Sequence, residues 1–144
     1  MATVADIISV KGSTAHCVGA DDTVYAAVEK MVKHNVGALL VMENDMLVGI
    51  VTERDYLRRI AVEGRTSKET RVATIMTANP TTVSSGTTIQ RCMQTMTERR
   101  IRHLPVMSGR RIAGVLSIGD IVKSMLSEQA SHIEQMTEYI QGRA

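Results

Sequence analysis

The chain has 144 residues, 17 basic against 15 acidic for a formal net charge of +2, and is 44% hydrophobic and 22% charged. That suits a globular chain long enough for one compact domain or two small packed halves. Its aromatics are three tyrosines, with no Phe or Trp but ten methionines, which excludes a single-strand nucleic-acid platform because bases need aromatic faces to stack on. The near balance of charge also lacks the basic footprint of a DNA binder.

No apolar run approaches the roughly 18 to 20 residues of a spanning helix. The start, Met1 to Val10, carries neither a basic n-region nor an arginine-rich presequence, so the expected location is the cytoplasm, or the mitochondrial matrix where a transit peptide has been removed. Cys17 and Cys92 form no C-x-x-C and are read as small core residues of a reducing compartment. The four histidines show no metal-ligand spacing. His34 and His132 are expected at the surface.

Sliding the chain along itself reveals an internal repeat. At an offset of 65, Thr23 to Ile60 lies over Thr88 to Met125 without a gap, pairing Met31 with Met96, Gly49 with Gly114 and Asp55 with Asp120. Upstream, Val4-Ala5-x-Ile7 matches Val72-Ala73-x-Ile75 at an offset of 68, so the first copy carries three extra residues. Met31 with Met96 and Met42 with Met107 are expected to fill the same core positions twice.

In chain order, a short strand is expected around Ala15 to Val18. Asp22 or Thr23 caps a helix whose Val24, Ala27, Val28, Met31 and Val32 fall on one stripe. A strand over Ala38 to Met42, a turn at Glu43-Asn44-Asp45 and a strand over Leu47 to Val51 lead to a helix from Glu53. The charged stretch Val62 to Arg71 reads as the link. The second copy repeats the order: a strand at Thr81 to Val83, a cap at Thr87 or Thr88, a helical stripe of Ile89, Cys92, Met93 and Met96, strands at Leu104 to Met107 and Ile112 to Leu116, and a helix from Ile118. The tail from Ser127 to Gln141 places Ile133, Met136 and Ile140 at helical spacing after Val122, Met125 and Leu126. It reads as a dimer or packing helix, since Glu128, Glu134 and Glu138 on its polar face would repel anionic lipid. The fold class is α/β, two β-α-β-β-α repeats over 1–65 and 66–126, followed by a helical tail over 127–144.

Chemistry concentrates where the last strand of each copy meets its helix. Thr52-x-x-Asp55 and Ser117-x-x-Asp120 each satisfy the capping-box pattern, in which the acid reaches back to the N-cap amide. The same geometry offers a carboxylate to two vicinal ribose hydroxyls, with the helix N-terminus facing an anion. Both readings stand at this level. Arg54 in the first junction has Gly119 as its counterpart, whereas Arg102 and His103 stand where the first copy has Gly37 and Ala38. Two inequivalent sites follow. Nothing suggests an enzyme: there is no Ser/His/Asp order, no phosphate-cradling P-loop, no metal cluster and no carboxylate pair that the repeat leaves unexplained.

The repeat and its junctions resemble a pair of CBS domains, the Bateman module. The matching pieces are Gly37-Ala38-Leu39-Leu40-Val41 with Gly49-Ile50-Val51-Thr52-Glu53-Arg54-Asp55, and Arg102-His103-Leu104-Pro105-Val106 with Gly114-Val115-Leu116-Ser117-Ile118-Gly119-Asp120. The likeness spans nearly the whole chain and points to a stand-alone CBS-pair protein of bacterial or mitochondrial type. It implies two copies about a pseudo-twofold axis, two clefts for an adenosine ligand (AMP first, or ADP, ATP, NAD(H) or S-adenosylmethionine), a homodimer and a regulated protein partner. Organellar relatives of this type act on thioredoxin-type redox partners. By the resemblance, Asp55 and Asp120 hold ribose, Thr52 and Ser117 flank them, and Arg54 and Arg102 meet phosphate. His16, Val36, Gly37, Ala38, Thr77, Thr81, Ile101, His103 and Pro105 line the clefts. Adenine would lie between aliphatic side chains and be read by backbone groups, with Tyr56 either beside it or packed on the other copy.

Overall fold

The computed structural model describes residues 1–142; the last two residues of the tail assigned to 127–144 lie outside the described residues. The first copy contains β1 (Cys17–Gly19), α2 (Val24–His34), β2 (Ala38–Glu43), β3 (Met46–Thr52) and α3 (Glu53–Tyr56), preceded by α1 (Val4–Lys11). After α4 (Val72–Ile75) and β4 (Thr77–Ala78), the second copy contains β5 (Val83–Ser84), α5 (Ile89–Arg99), β6 (His103–Ser108), β7 (Arg111–Ser117) and α6 (Ile118–Ile140). Each copy thus follows the expected β-α-β-β-α order.

Both sheets share one plan. The first strand runs parallel to the second, and the second pairs antiparallel with the third, giving β1-β2-β3-β4 and β5-β6-β7. Irregularities at Val41/Met42 and at Val106/Met107 fall on repeat equivalents. β5 is shorter than β1 for a covalent reason. The Leu40 amide donates to the His16 carbonyl at 3.0 Å, but the counterpart of Leu40 is Pro105, which has no N–H. Pairing in the second copy therefore starts at Val83, two residues later than the strand expected from Thr81.

The helices preceding the copies are exchanged. α4 packs on the first copy, where Val72 and Ile75 are buried with Val24, Ala27, Met31, Leu39 and Val51. α1 packs on the second, where Val4 and Ile7 join Ile89, Cys92, Met96, Leu104 and Leu116. Backbone bonds fix both: Val72 N donates to Asp22 O at 2.8 Å, and Val4 N to Thr87 O at 2.9 Å. Burying each such aliphatic side chain contributes about 1.5–3 kcal/mol. The remaining faces of the two sheets meet in a seam of Ala38, Leu40 and Ile50 against Ile112 and Val115. Ile50 and its equivalent Val115 both lie there, as a pseudo-twofold arrangement requires.

Thr23 and Thr88 cap α2 and α5, accepting bonds from Ala26 N and Arg91 N; of the alternatives Asp22 and Thr87, Asp22 instead accepts from Gly19 N, and Thr87 from Ser84 N. The helix expected from Glu53 is a single α turn followed by a π-helical turn over Leu57–Ala61, anchored by buried Ile60. The stretch Val62 to Arg71 does more than link. Its Ser67 and Thr70 carbonyls accept the Tyr25 and Val24 amides, satisfying donors that the first turn of a helix leaves free.

Four packing expectations are corrected. Val32 is 76% exposed and not on the buried stripe, because the core contact of α2 is filled by Val24, Ala27 and Met31. Met31 and Met96 are buried equivalents, but Met42 and Met107 are only half-buried, since the irregularity preceding each turns it off the regular ladder. Tyr56 packs against the core of its own copy, not the other one. Cys92 is fully buried as expected, whereas Cys17 is half-buried.

Candidate functional site

The two junctions form the boxes their sequences predict, yet with different partners. At the first, Asp55 Oδ2 accepts the Thr52 amide at 2.9 Å and the Thr52 hydroxyl at 3.1 Å, while the Asp55 amide donates back to Thr52 Oγ1 at 3.3 Å. Among the described residues, Asp55 Oδ1 accepts no hydrogen bond and no cation pairs with the carboxylate. At the second, Asp120 Oδ2 accepts the Ser117 amide at 2.8 Å and the Lys11 ammonium at 2.6 Å. Lys11 Nζ also donates to the Val115 carbonyl at 2.6 Å. Burial works to raise the Asp120 pKa, but the Lys11 ammonium and the Ser117 donors together outweigh it and hold the carboxyl below its usual range.

His103 sits between the junctions. Its ring and the Glu53 carboxylate both lie against the space in front of Gly37, where a Cβ would collide with Glu53. Burial is the main cause that lowers the His103 pKa; Lys11 and Arg102 act in the same direction, and Glu53 and Asp120 oppose it. The neutral imidazole is therefore the favoured form near neutral pH. Arg54 and Arg102 are exposed, so both guanidinium groups are free to meet a soluble anion. Ile118 N donates to Arg102 O and Glu53 N to Gly37 O, at 2.8 and 3.0 Å. These equivalent bonds tie each helix start to the strand approach that the sequence marked.

Other predicted residues are distributed around this centre. Thr77 on β4 is in register with Ile50, beside the strand that ends at Thr52. Val36 and Ile101 are half-buried, Ala38 is buried, and Pro105 is buried on the middle strand opposite Val115. Thr81 lines an open hollow of about 610 Å³ with Thr82, Ser84, Thr87, Arg91, Thr95 and Arg99, and neither aspartate borders it. The equivalent place in the first copy is filled: His16 and His34, counterparts of Thr81 and Arg99, stack with ring centroids 3.9 Å apart, and Lys30 donates to the Cys17 carbonyl. Burial lowers the His34 pKa, with help from His16, Lys33 and Lys30. The Cys17 and Cys92 thiols are both pushed up by burial, which Lys30 partly offsets at Cys17.

Lys11 and Glu53 escaped the sequence reading. The three extra residues ahead of the first copy were the available signal for Lys11, since they lengthen α1. Glu53 stood inside a quoted motif, but its nearness to His103 around Gly37 crosses from one copy to the other.

The CBS-domain sequence profile matches residues 4–62 and 72–127. The chain belongs to the CBS-domain family and carries two copies of the domain. It is 45% identical to the mitochondrial CBS domain-containing protein CBSX3 of Arabidopsis thaliana, over 97% of this chain and 72% of that one. A solved structure of a protein with CBS domains from Burkholderia ambifaria MC40-6 is 45% identical, with a TM-score of 0.85 over 88% of this chain and 96% of the other. A hexameric CBS-CP12 protein from bloom-forming cyanobacteria aligns at 26% identity and a TM-score of 0.76, over 83% of this chain and 70% of that one. Proteins built from CBS domains act generally as regulatory modules. No helix among the described residues is long and apolar enough to cross a membrane.

Proposed function

We propose that this protein is a non-enzymatic sensor of an adenosine ligand, AMP foremost, with ADP, ATP, NAD(H) and S-adenosylmethionine as the other members of the class. The observation that carries the reading is the carboxylate of Asp55, fixed by Thr52 at the start of α3 with one oxygen free of protein partners among the described residues. Vicinal ribose hydroxyls match such an acceptor, and hydrogen bonds to a charged group contribute about 1.5–3 kcal/mol each. Arg54 and Arg102 would meet the phosphate. Thr77, Ile101 and the backbone of Val36 to Ala38 would frame the base. Binding would bias the seam between the copies and so alter a protein partner, in the cytoplasm or the mitochondrial matrix. The relative named as mitochondrial supports the second setting.

A second reading is a dimerisation module in which the aspartates act only as caps, favoured by the complete capping boxes at both junctions. Calorimetric titration with AMP, ADP, ATP, NADH and S-adenosylmethionine separates the two. The sensor reading expects saturable binding by the native chain and a loss of at least tenfold in affinity in Asp55→Ala. Absence of binding across the panel, or affinity untouched by both Asp55→Ala and Asp120→Ala, would leave the capping role alone.

A further inference from the structure

The copies part company just after equivalent anchor points. Met76 and Ile8 both close on a glycine of the third strand: an ideal Cβ on Gly49 would stand 2.5 Å from Met76 Sδ, and one on Gly114 2.8 Å from Ile8 Cδ1. Beyond Met76 the chain passes directly into β4, which pairs with β3 through Ile50 and Thr77. Beyond Ile8 the three extra residues continue the helix, so α1 runs through eight residues where α4 has four. Gly12 ends it at φ 96°, its amide donating to Ile8 O at 2.7 Å. Among the described residues no strand then joins β7 on that side, and the second sheet has three strands instead of four.

What stands there instead is the end of α1. Val115 is the repeat counterpart of Ile50, and its carbonyl accepts the Lys11 ammonium at 2.6 Å. The same nitrogen bonds Asp120 Oδ2 at 2.6 Å. One cation therefore occupies both the missing edge of the sheet and the carboxylate of the second junction, whereas Asp55 pairs with no cation among the described residues.

We infer that Lys11 is an internal ligand of the second junction, its ammonium neutralising the Asp120 carboxylate through Oδ2 where Asp55 keeps its charge uncompensated, so that each chain presents one open ribose site and one latched site. This rests on the ribose role proposed above. Among the described residues Asp120 Oδ1 accepts no hydrogen bond, as at Asp55, so the latch acts through the ammonium held on Oδ2 and on the Val115 carbonyl: it cancels the charge that strengthens a hydroxyl's bond to the carboxylate and stands against that carboxylate where a ribose would approach. The first cleft sets the affinity for ligand, and the second opens only when α1 withdraws Lys11.

Equilibrium dialysis of the full chain against labelled AMP, ATP, NADH and S-adenosylmethionine counts ligands at saturation. The native chain is expected to bind one per chain and Lys11→Met two. Asp55→Ala should bind none, and Lys11→Met with Asp55→Ala should bind one. Lys11→Arg, which keeps the cation, should stay at one, and Lys11→Gln serves as the neutral variant if Lys11→Met does not fold. Two ligands on the native chain, or one on both neutral variants, overturns the latch and leaves the ribose reading standing. Failure of every probe to bind the native chain and the neutral variants overturns both.

Discussion

Asp120 and His103 are tuned by neighbours that belong to different parts of the chain, and each gives the fold a signed dependence on pH. A carboxyl held below its unfolded value stabilises the fold above about pH 4, and that contribution is lost as pH falls through the folded pKa. For His103, whose pKa is lowered chiefly by burial, the unfolded chain takes up the proton first. Its contribution is complete above about pH 6.5 and declines as pH falls through the lower folded value. Denaturant unfolding measured from pH 8 to pH 3 should therefore show stability falling in two windows. His103→Gln should make the upper window shallower, leaving the part that His34 supplies, and Asp120→Asn, like Lys11→Met, should make the lower one shallower. A wild-type profile level between pH 8 and pH 5 would contradict the buried, neutral His103.

Among the elements, the closure of α4 and β4 onto β3 depends on a missing side chain. A Cβ at Gly49 would come within 2.5 Å of Met76 Sδ and 2.9 Å of the Thr77 carbonyl. The thioether can rotate aside, but the backbone oxygen of β4 cannot without opening the strand pair. Gly49→Ala should cost about 1–3 kcal/mol, the usual penalty for overpacking, read as a lowered denaturation midpoint with an unchanged slope; an unaltered midpoint would mean that β4 is not held against β3. The element order was legible because amphipathic stripes such as Ile89, Cys92 and Met96 and short apolar runs such as Leu104 to Met107 are local signals. So were the capping boxes, which span three residues. The exchange of α1 and α4 was not legible, since an isolated Val-Ala-x-Ile says only that it is buried and not in which copy. Nor was the pairing of Lys11 with Asp120, where one side chain reaches across 109 positions of sequence. The difference between offsets of 65 and 68 announced that something was inserted; only the folded chain shows that the insertion delivers a cation.

For the whole molecule, α6 is the element that runs far beyond its counterpart in the first copy, the single turn of α3 and the π-helical turn after it. Its 23 residues extend about 34 Å at the usual helical rise, yet Ile121 alone is buried. Val122, Met125, Leu126, Ile133, Met136 and Ile140 remain exposed, from 39% to 78%, and their spacing places them along one side of the helix. Such a row is the signature of a surface meant to be covered. The stripe is left largely uncovered by the tail's own chain, and pairing of α6 between two copies would cover it. Sedimentation velocity should find a dimer that becomes monomeric in Leu126→Lys with Ile133→Lys, without loss of helical signal; a native monomer at tens of micromolar would exclude self-association through this helix. The methionine-rich composition belongs to the same scale, because Met31 and Met96 fill equivalent depths of two small cores.

The central claim is that the first junction binds an adenosine ligand through Asp55. Amide chemical-shift mapping with AMP tests it most directly, since it reports both occupancy and place. The account predicts saturable shifts concentrated at Thr52 to Tyr56, Thr77 to Thr81 and Ile101 to His103, and abolished in Asp55→Ala. Shifts confined to the hollow around Arg91 and Arg99, or a spectrum unmoved by AMP and by the other adenosine ligands alike, would contradict it.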